Sequence, residues 1–334
     1  MKAAVVGTDP DAAPLEVRDV PTPRPTGDLV VVRVTRAALT RLDAMMLENR
    51  TDEAPGTIFG SDGAGTVAAV GPDADPSVAV RDEVVISPSL HWGPDERFTG
   101  PDYEILGSPT HGTHAQFVAV PADNIHSKPA HLSWEAAAAL PLAGVTAWRA
   151  LITRGRLARG ETVVIGAASS GVGTLGIQIA AATGARVVAV TSSPDKTQDA
   201  LALGATAAVD RTSSTFGDDL SRATDGRADL ALDPTGVLWQ RFADVLRPAG
   251  RLVVVGKVAA PVGALRVQSV YWKQLDILGS SMGSNADFTA LLEHVNAHGW
   301  SPVVDSVFPL AQITDAYARL DAPDRVGKVV IAVP

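Results

Sequence analysis

The stretch Gly171-Val172-Gly173-Thr174-Leu175-Gly176 decides the fold. It follows the β-branched run 162–165 and opens an Ala- and Ile-rich run, 172–183, that stops at Gly184. Alone, the spacing G-x-G-x-x-G says little. Between a strand and a helix, with a second strand-like run at 186–190, it specifies the turn of a βαβ unit. Small residues let the backbone approach a pyrophosphate, and the N–H groups and dipole of a helix start favour its charge. The turn therefore predicts a dinucleotide site. The plainer alternative is a Gly-rich turn that binds nothing.

Downstream, the alternation continues. Helix-like 196–203 closes at Gly204, and strand-like 207–209 and 230–232 follow. Helix-like 237–246, strand-like 251–255 and a further strand at 276–279 complete the unit. This predicts a doubly wound parallel sheet. Upstream, residues 1–125 are rich in Val, Gly and Pro, with strand-like runs at 29–34, 65–70, 83–86 and 115–120. They predict a mostly β, barrel-like domain. After Pro129 the pattern changes: Ser133 reads as an N-cap before an Ala-rich helix, and 146–153 continues helical. Beyond the sheet, helices are expected at 287–298 and 313–320 and a last strand at 328–333. That strand predicts a return to the first domain. The expected division is 1–125, 126–283 and 284–334, with the cleft between domains as the default site.

The second strand end selects among dinucleotides. An NAD site usually carries an acid there for the ribose 2′-OH. Here the residues are Thr191-Ser192-Ser193-Pro194, followed by Lys196. Hydroxyls and a cation suit a 2′-phosphate, and Arg211 adds a second charge. NADPH is the expected cofactor, held by Ser170, Gly171, Val172, Gly173, Ser192, Lys196 and Arg211.

Composition narrows the chemistry. There is no cysteine in 334 residues, which excludes disulfides, thiolate nucleophiles and thiolate zinc ligands. The net charge of −9 gives no general attraction to nucleic acid or anionic membranes. No apolar run is long enough to span a bilayer, and Met1-Lys2-Ala3-Ala4-Val5 opens directly into a strand-like run without a signal peptide. A cytoplasmic protein acting on a small molecule is expected. His111 with His114, and His294 with His298, have spacings that metal sites use, but each pair lacks a third ligand, and solvated or hydrogen-bonded roles fit better.

Several segments together resemble the medium-chain dehydrogenase/reductase superfamily over essentially the whole chain. They are 38–43, Gly60-Ser61-Asp62-Gly63-Ala64-Gly65, Arg81-Asp82-Glu83-Val84, Gly112-Thr113 with Ala115 and Phe117, 136–140 with Thr146-Ala147-Trp148, 170–173, and Gly327-Lys328-Val329-Val330. The resemblance implies a GroES-like catalytic domain with an inserted Rossmann domain. It implies that Arg41 touches the cofactor pyrophosphate, that Gly256 lies near the nicotinamide, and that 276–282 is the edge through which a homodimer forms. Where zinc-dependent members hold catalytic zinc, this chain has Thr40, Ser61 with Asp62, and about Ala143. In the lobe 90–103, Trp92, Asp95 and Phe98 stand where those relatives carry cysteines. The expected metal is none, in the zinc-independent quinone-oxidoreductase-like branch.

Without a Lewis acid, a conjugated acceptor is easier to reduce than an isolated carbonyl, because charge spreads onto an enolate or quinol oxygen. The expected activity is NADPH-dependent hydride transfer to a quinone or activated double bond. Thr40, Asp43, Ser61 and Asp62 are the catalytic candidates: Asp43 orients the active-site loop, and Thr40, Ser61 and Asp62 either donate to a substrate oxygen, directly or through water, or fill the former metal site with a polar network. Trp92 and Tyr103 are candidate pocket walls or, equally, packing residues of the shortened lobe. Alternatives are reduction of an iminium or other biosynthetic intermediate, and an idle NADPH-binding sensor or structural protein.

Overall fold

A computed structural model of the chain describes residues 1–7, 14–49, 56–256 and 264–334. It divides into one unit formed by Met1–Leu142 with Ser284–Pro334, and a second formed by Ala143–Gly283. No helix among the described residues is long and apolar enough to cross a membrane.

The first unit is built on a seven-stranded sheet. Its order runs Val304–Pro309, Lys328–Ala332, Leu29–Ala38, Asp62–Val70, Glu83–Ile86 and Ile125–Ser127, with Phe117–Pro121 also paired to Leu29–Ala38. The alternation in Leu29–Ala38 sends Val30, Val32 and Val34 into one core with Val67, Val84, Ile86, Val118 and Ile331. Gly65 lets two strands close: a Cβ there would lie 2.0 Å from the Arg33 carbonyl oxygen. Register fixes the site. Ala38 pairs with Asp62 on one side and with Val330 on the other. The ends of three strands, carrying Leu39-Thr40, Ser61-Asp62 and Lys328, therefore meet, although the last is contributed from the far end of the sequence.

The Ala-rich helix Trp134–Ala139, with Ser133 as its N-cap, packs on the strands Leu29–Ala38 and Asp62–Val70. Its residues 136–139 are buried. The sequence boundary at 125/126 placed this helix in the other domain. In the structure the break follows Leu142, because those alanines bury against the first sheet.

The second unit is a six-stranded, all-parallel sheet. Its order is Ala207–Asp210, Arg186–Thr191, Thr162–Ile165, Ala228–Asp233, Leu246–Val254, Asp276–Gly279. Numbered along the unit this is 3-2-1-4-5-6, the dinucleotide-binding order, which reverses direction beside Thr162–Ile165. Two helices escaped the sequence reading. Phe216–Thr224 buries Phe216, Leu220 and Thr224 at i, i+4 and i+8, only two of them apolar. Val267–Lys273 buries nothing. The run expected as one helix over 146–153 is an α-helix, Pro141–Trp148, that widens into a π-helical turn, Arg149–Arg154. Buried Arg251 steadies its end by donating to the Gly155 and Arg156 carbonyls at 2.7 and 3.0 Å.

Candidate active site

In the second unit, the strand Thr162–Ile165 leads into a tight turn. Ala167 is left-handed, with φ of 48°, and the Ser170 N–H donates to the Ala167 carbonyl at 2.8 Å. Ser170 then caps the helix Gly171–Thr183, its Oγ accepting from the Gly173 N–H at 3.0 Å. The N–H groups of Gly171 and Val172, at the first helical positions, have no partner within the helix by its geometry. Gly173 serves packing: a Cβ there would lie 2.1 Å from the Ala167 carbonyl oxygen. Gly176 is less constrained, since a Cβ there would make ordinary 3.7 Å contacts.

The residues expected to hold a 2′-phosphate gather at the neighbouring strand ends. Lys196, on the helix Asp195–Ala202, is buried. Its ammonium lies 3.3 Å from Ser169 Oγ in the glycine turn and 3.5 Å from Ser192 Oγ at the end of Arg186–Thr191. The Arg211 backbone N–H donates to the Thr191 carbonyl at 3.1 Å, which sets this exposed arginine beside the same strand end. Gly256 follows Leu246–Val254, on the other side of the central strand. The structure thus brings Ser170, Ser192, Lys196 and Arg211 together and leaves Gly256 apart from them. A dinucleotide phosphate fits this arrangement chemically: helix-start N–H groups, hydroxyls and a buried cation face one turn.

In the first unit, Thr40 N-caps the helix Arg41–Glu48 and closes a capping box with Asp43. Asp43 Oδ2 accepts from the Thr40 backbone N–H and from Thr40 Oγ1, both at 2.7 Å. Asp43 Oδ1 accepts from Ser61 Oγ at 3.1 Å. Burial raises the Asp43 carboxyl above its usual range, against the pull of Thr40, Lys328 and Ser61. Each hydroxyl has one proton, and those of Thr40 and Ser61 are directed at Asp43. To donate to a substrate oxygen, each must first turn from Asp43.

Asp62 is fully enclosed and both its oxygens are taken. Oδ2 accepts from the Lys328 ammonium at 2.8 Å, and Oδ1 from the Leu142 N–H at 2.6 Å. Lys328 also donates to the Leu39 carbonyl at 2.6 Å. Burial raises the Asp62 carboxyl, while Lys328 and the Leu142 N–H draw it down. Asp62 therefore holds three strands together rather than offering a free oxygen. Sequence reasoning quoted Lys328 only as a motif letter. The signal was there: a single cation within the apolar run Gly327-Lys328-Val329-Val330-Ile331 must find a buried partner.

Arg41 donates to Asp321 at 2.7 Å and to the Leu320 carbonyl at 3.1 Å. In the lobe 90–103, Trp92 and Tyr103 pack edge to face at 5.4 Å. Trp92 Nε1 donates to the Asp95 carbonyl at 3.2 Å, and Asp95 pairs with Arg97. Phe98 is exposed. Among the described residues, no three His, Cys, Asp or Glu side chains are grouped to hold a metal ion. The two expected histidine pairs separate in role: His111 Nδ1 accepts from the Ile58 N–H at 3.3 Å while His114 is buried, and His294 stacks on His298 at 4.2 Å.

Comparison with known proteins agrees with this architecture. Residues 26–130 match the alcohol dehydrogenase GroES-like domain, and residues 171–297 match the zinc-binding dehydrogenase family. A zinc-type alcohol dehydrogenase-like protein of Leptosphaeria maculans is 29% identical over 94% of this chain and 92% of its own. An NADPH-dependent alkenal/one oxidoreductase of Arabidopsis thaliana is 30% identical, over 91% of this chain and 72% of its own. The solved structure of an NAD-dependent alcohol dehydrogenase superposes with a TM-score of 0.92 at 36% identity, covering 100% of both chains. With its parallel 3-2-1-4-5-6 sheet, its glycine turn and these relatives, the chain belongs to the medium-chain dehydrogenase/reductase superfamily of oxidoreductases.

Proposed function

We propose that this oxidoreductase is a zinc-independent NADPH-dependent reductase of quinones or conjugated carbonyl compounds. The observation that carries the cofactor is Lys196. An ammonium is held at the glycine turn between two serine hydroxyls, where an NAD site places a carboxylate. The resemblance to an NADPH-dependent alkenal/one oxidoreductase supports the same reading. The residue types support zinc independence. Thr40 and Ser61 stand at two ligand positions of the zinc enzymes, and the third, Asp62, is neutralised by Lys328.

Ser170, Gly171, Val172 and Gly173 would hold NADPH at the turn, and the bound cofactor would supply a hydride for the carbon remote from the substrate oxygen. Ser170 shapes the phosphate-binding helix start, and Lys196 and Arg211 balance the 2′-phosphate charge. For Arg41 to take the pyrophosphate role that the resemblance implies, it would have to release Asp321. Asp43 holds Thr40 and Ser61, whose hydroxyls turn to the substrate oxygen as negative charge develops there. Gly256 leaves room near the nicotinamide.

The functional unit in this reading is a homodimer formed through Asp276–Gly279. That strand ends the six-stranded sheet, and Ile277, Val267, Tyr271 and Trp272 are exposed beside it at 41%, 70%, 56% and 75%. An open edge with apolar neighbours is an aggregation hazard unless covered.

The test is NADPH oxidation followed by absorbance, with a panel of quinones and α,β-unsaturated ketones and aldehydes. Turnover with these acceptors and none with saturated ketones is expected. Tight NADPH binding with no turnover on the panel would sink the reductase assignment. One tightly bound zinc per chain by mass spectrometry would remove the zinc-independent part.

A further inference from the structure

His114 and Tyr317 are buried polar side chains that the proposed chemistry leaves unused. His114 is held by its backbone on both sides: its N–H donates to the Phe59 carbonyl at 3.0 Å, and its carbonyl accepts from the Ala4 N–H at 2.8 Å. Its ring occupies the space a side chain at Gly60 would need, since a Cβ there would lie 2.6 Å from His114 Cδ2. Tyr317, on the helix Ile313–Arg319, meets that ring edge to face at 5.9 Å and 87°. His114 is wholly enclosed and Tyr317 is 9% exposed. Yet among the described residues neither ring nitrogen of His114 nor the Tyr317 hydroxyl has a hydrogen-bond partner.

The surroundings are charged. The Lys328 ammonium acts on His114, and the Asp43 carboxylate acts on Tyr317. Thr113, next to His114, donates to the Asp62 carbonyl at 2.7 Å. Burial first, and Lys328 second, pull the His114 pKa down to about 3, so the imidazole is neutral. A neutral imidazole offers one N–H and one lone pair, and a phenol offers one O–H and acceptor lone pairs. Leaving all three atoms unpaired in a dry core is costly on the scale of a domain's whole stability. Water both donates and accepts, and a buried water needs only two to four such partners.

We infer that His114 and Tyr317 hold an internal water beside the Asp43, Asp62 and Lys328 cluster, and that through it they are positioning residues for Asp43. This deepens the reading in which Asp43 presents Thr40 and Ser61 to the substrate, and it rests on that reading. The water carries hydrogen bonding from the two rings to the carboxylate, so that Asp43 stays put when its hydroxyl partners turn to the substrate.

A crystal structure at about 1.5 Å resolution tests the site directly. A density peak within hydrogen-bonding distance of at least two of the three atoms is expected. A dry site, or rings that pair directly with each other or with Asp43, overturns the inference. Two variants test the role. Tyr317→Phe keeps the ring, and should lower kcat for an enone about tenfold with NADPH affinity unchanged. His114→Leu should do the same, while His114→Gln, which keeps a donor and an acceptor, should retain activity within about threefold. Wild-type kcat in Tyr317→Phe and His114→Leu overturns the positioning role. The crystallographic arm needs no turnover, so its failure is separable from failure of the reductase assignment.

Discussion

The buried pair Lys328–Asp62 gives the sharpest energetic prediction. The ammonium and carboxylate are 2.8 Å apart, and their side chains are 4% and 0% exposed. At an effective dielectric constant of about 20, that distance corresponds to roughly 6 kcal/mol of attraction. Desolvation of two ions takes back several kcal/mol each, so the intact pair contributes little net stability. Removing one partner is different, because a bare charge stays buried. Lys328→Met also strips a donor from the Leu39 carbonyl. The expected loss is about 3–5 kcal/mol. For a unit of this size that is a fall in its Tm of roughly 6–20 °C. Differential scanning calorimetry reads it. The double variant Asp62→Asn with Lys328→Met should lose less than Lys328→Met alone, because no uncompensated ion remains. A Lys328→Met protein within about 1 kcal/mol of wild type, or strictly additive losses in the double-mutant cycle, would refute the reasoning.

Three further outcomes follow from the geometry. Lys196→Ala should weaken NADPH binding by about 10- to 150-fold, the worth of one charge-assisted hydrogen bond, and leave NADH binding nearly unchanged. Fluorescence titration of both cofactors measures the contrast, and equal losses for the two would remove the phosphate assignment. Gly173→Ala forces a Cβ to within 2.1 Å of the Ala167 carbonyl oxygen; dinucleotide binding should be lost while the first unit's thermal transition stays in place. Acid should destabilise the fold through His114 and His126, whose pKa values burial lowers to about 3 and about 4. The unfolded chain takes up these protons below pH 6.5 and the folded chain does not. Their contribution is therefore full above pH 6.5 and falls as pH drops toward 4, each group adding up to about 1.4 kcal/mol per pH unit. Urea unfolding from pH 7.5 to 4.5 should show this slope, shallower in His126→Leu; a pH-independent stability would contradict it.

Much of the fold was legible because its signals are local. Ser133 was readable as a helix cap, and Gly184 as a stop, because a cap involves residues three or four apart. The four inner strands of the parallel sheet were readable because strands buried on both faces are short apolar runs between turns. Thr40 and Asp43 were nominated from a motif, and the capping box that joins them is itself a three-residue event. The helices Phe216–Thr224 and Val267–Lys273 were not legible, since neither presents a broad apolar stripe. The domain break was misplaced because an Ala-rich helix carries no mark of which sheet will bury it.

The sequence by itself determined a dinucleotide-type turn, the absence of thiol chemistry, and a return of the last strand to the first unit. Those follow from residue types and short spacings. Tertiary structure alone decided which polar groups are spent. Asp62 meets a lysine 266 residues away, which turns a candidate donor into one half of a buried ion pair. Lys196 was nominated as a phosphate contact, but only packing shows its ammonium enclosed between Ser169 and Ser192. By spacing alone His114 pairs with His111 as solvated, hydrogen-bonded or metal-holding histidines, and only the fold shows it enclosed against Tyr317. The reason is physical. Burial sets the cost of a polar atom and the identity of its partner, and burial is a property of how distant strands align, which no local spacing encodes.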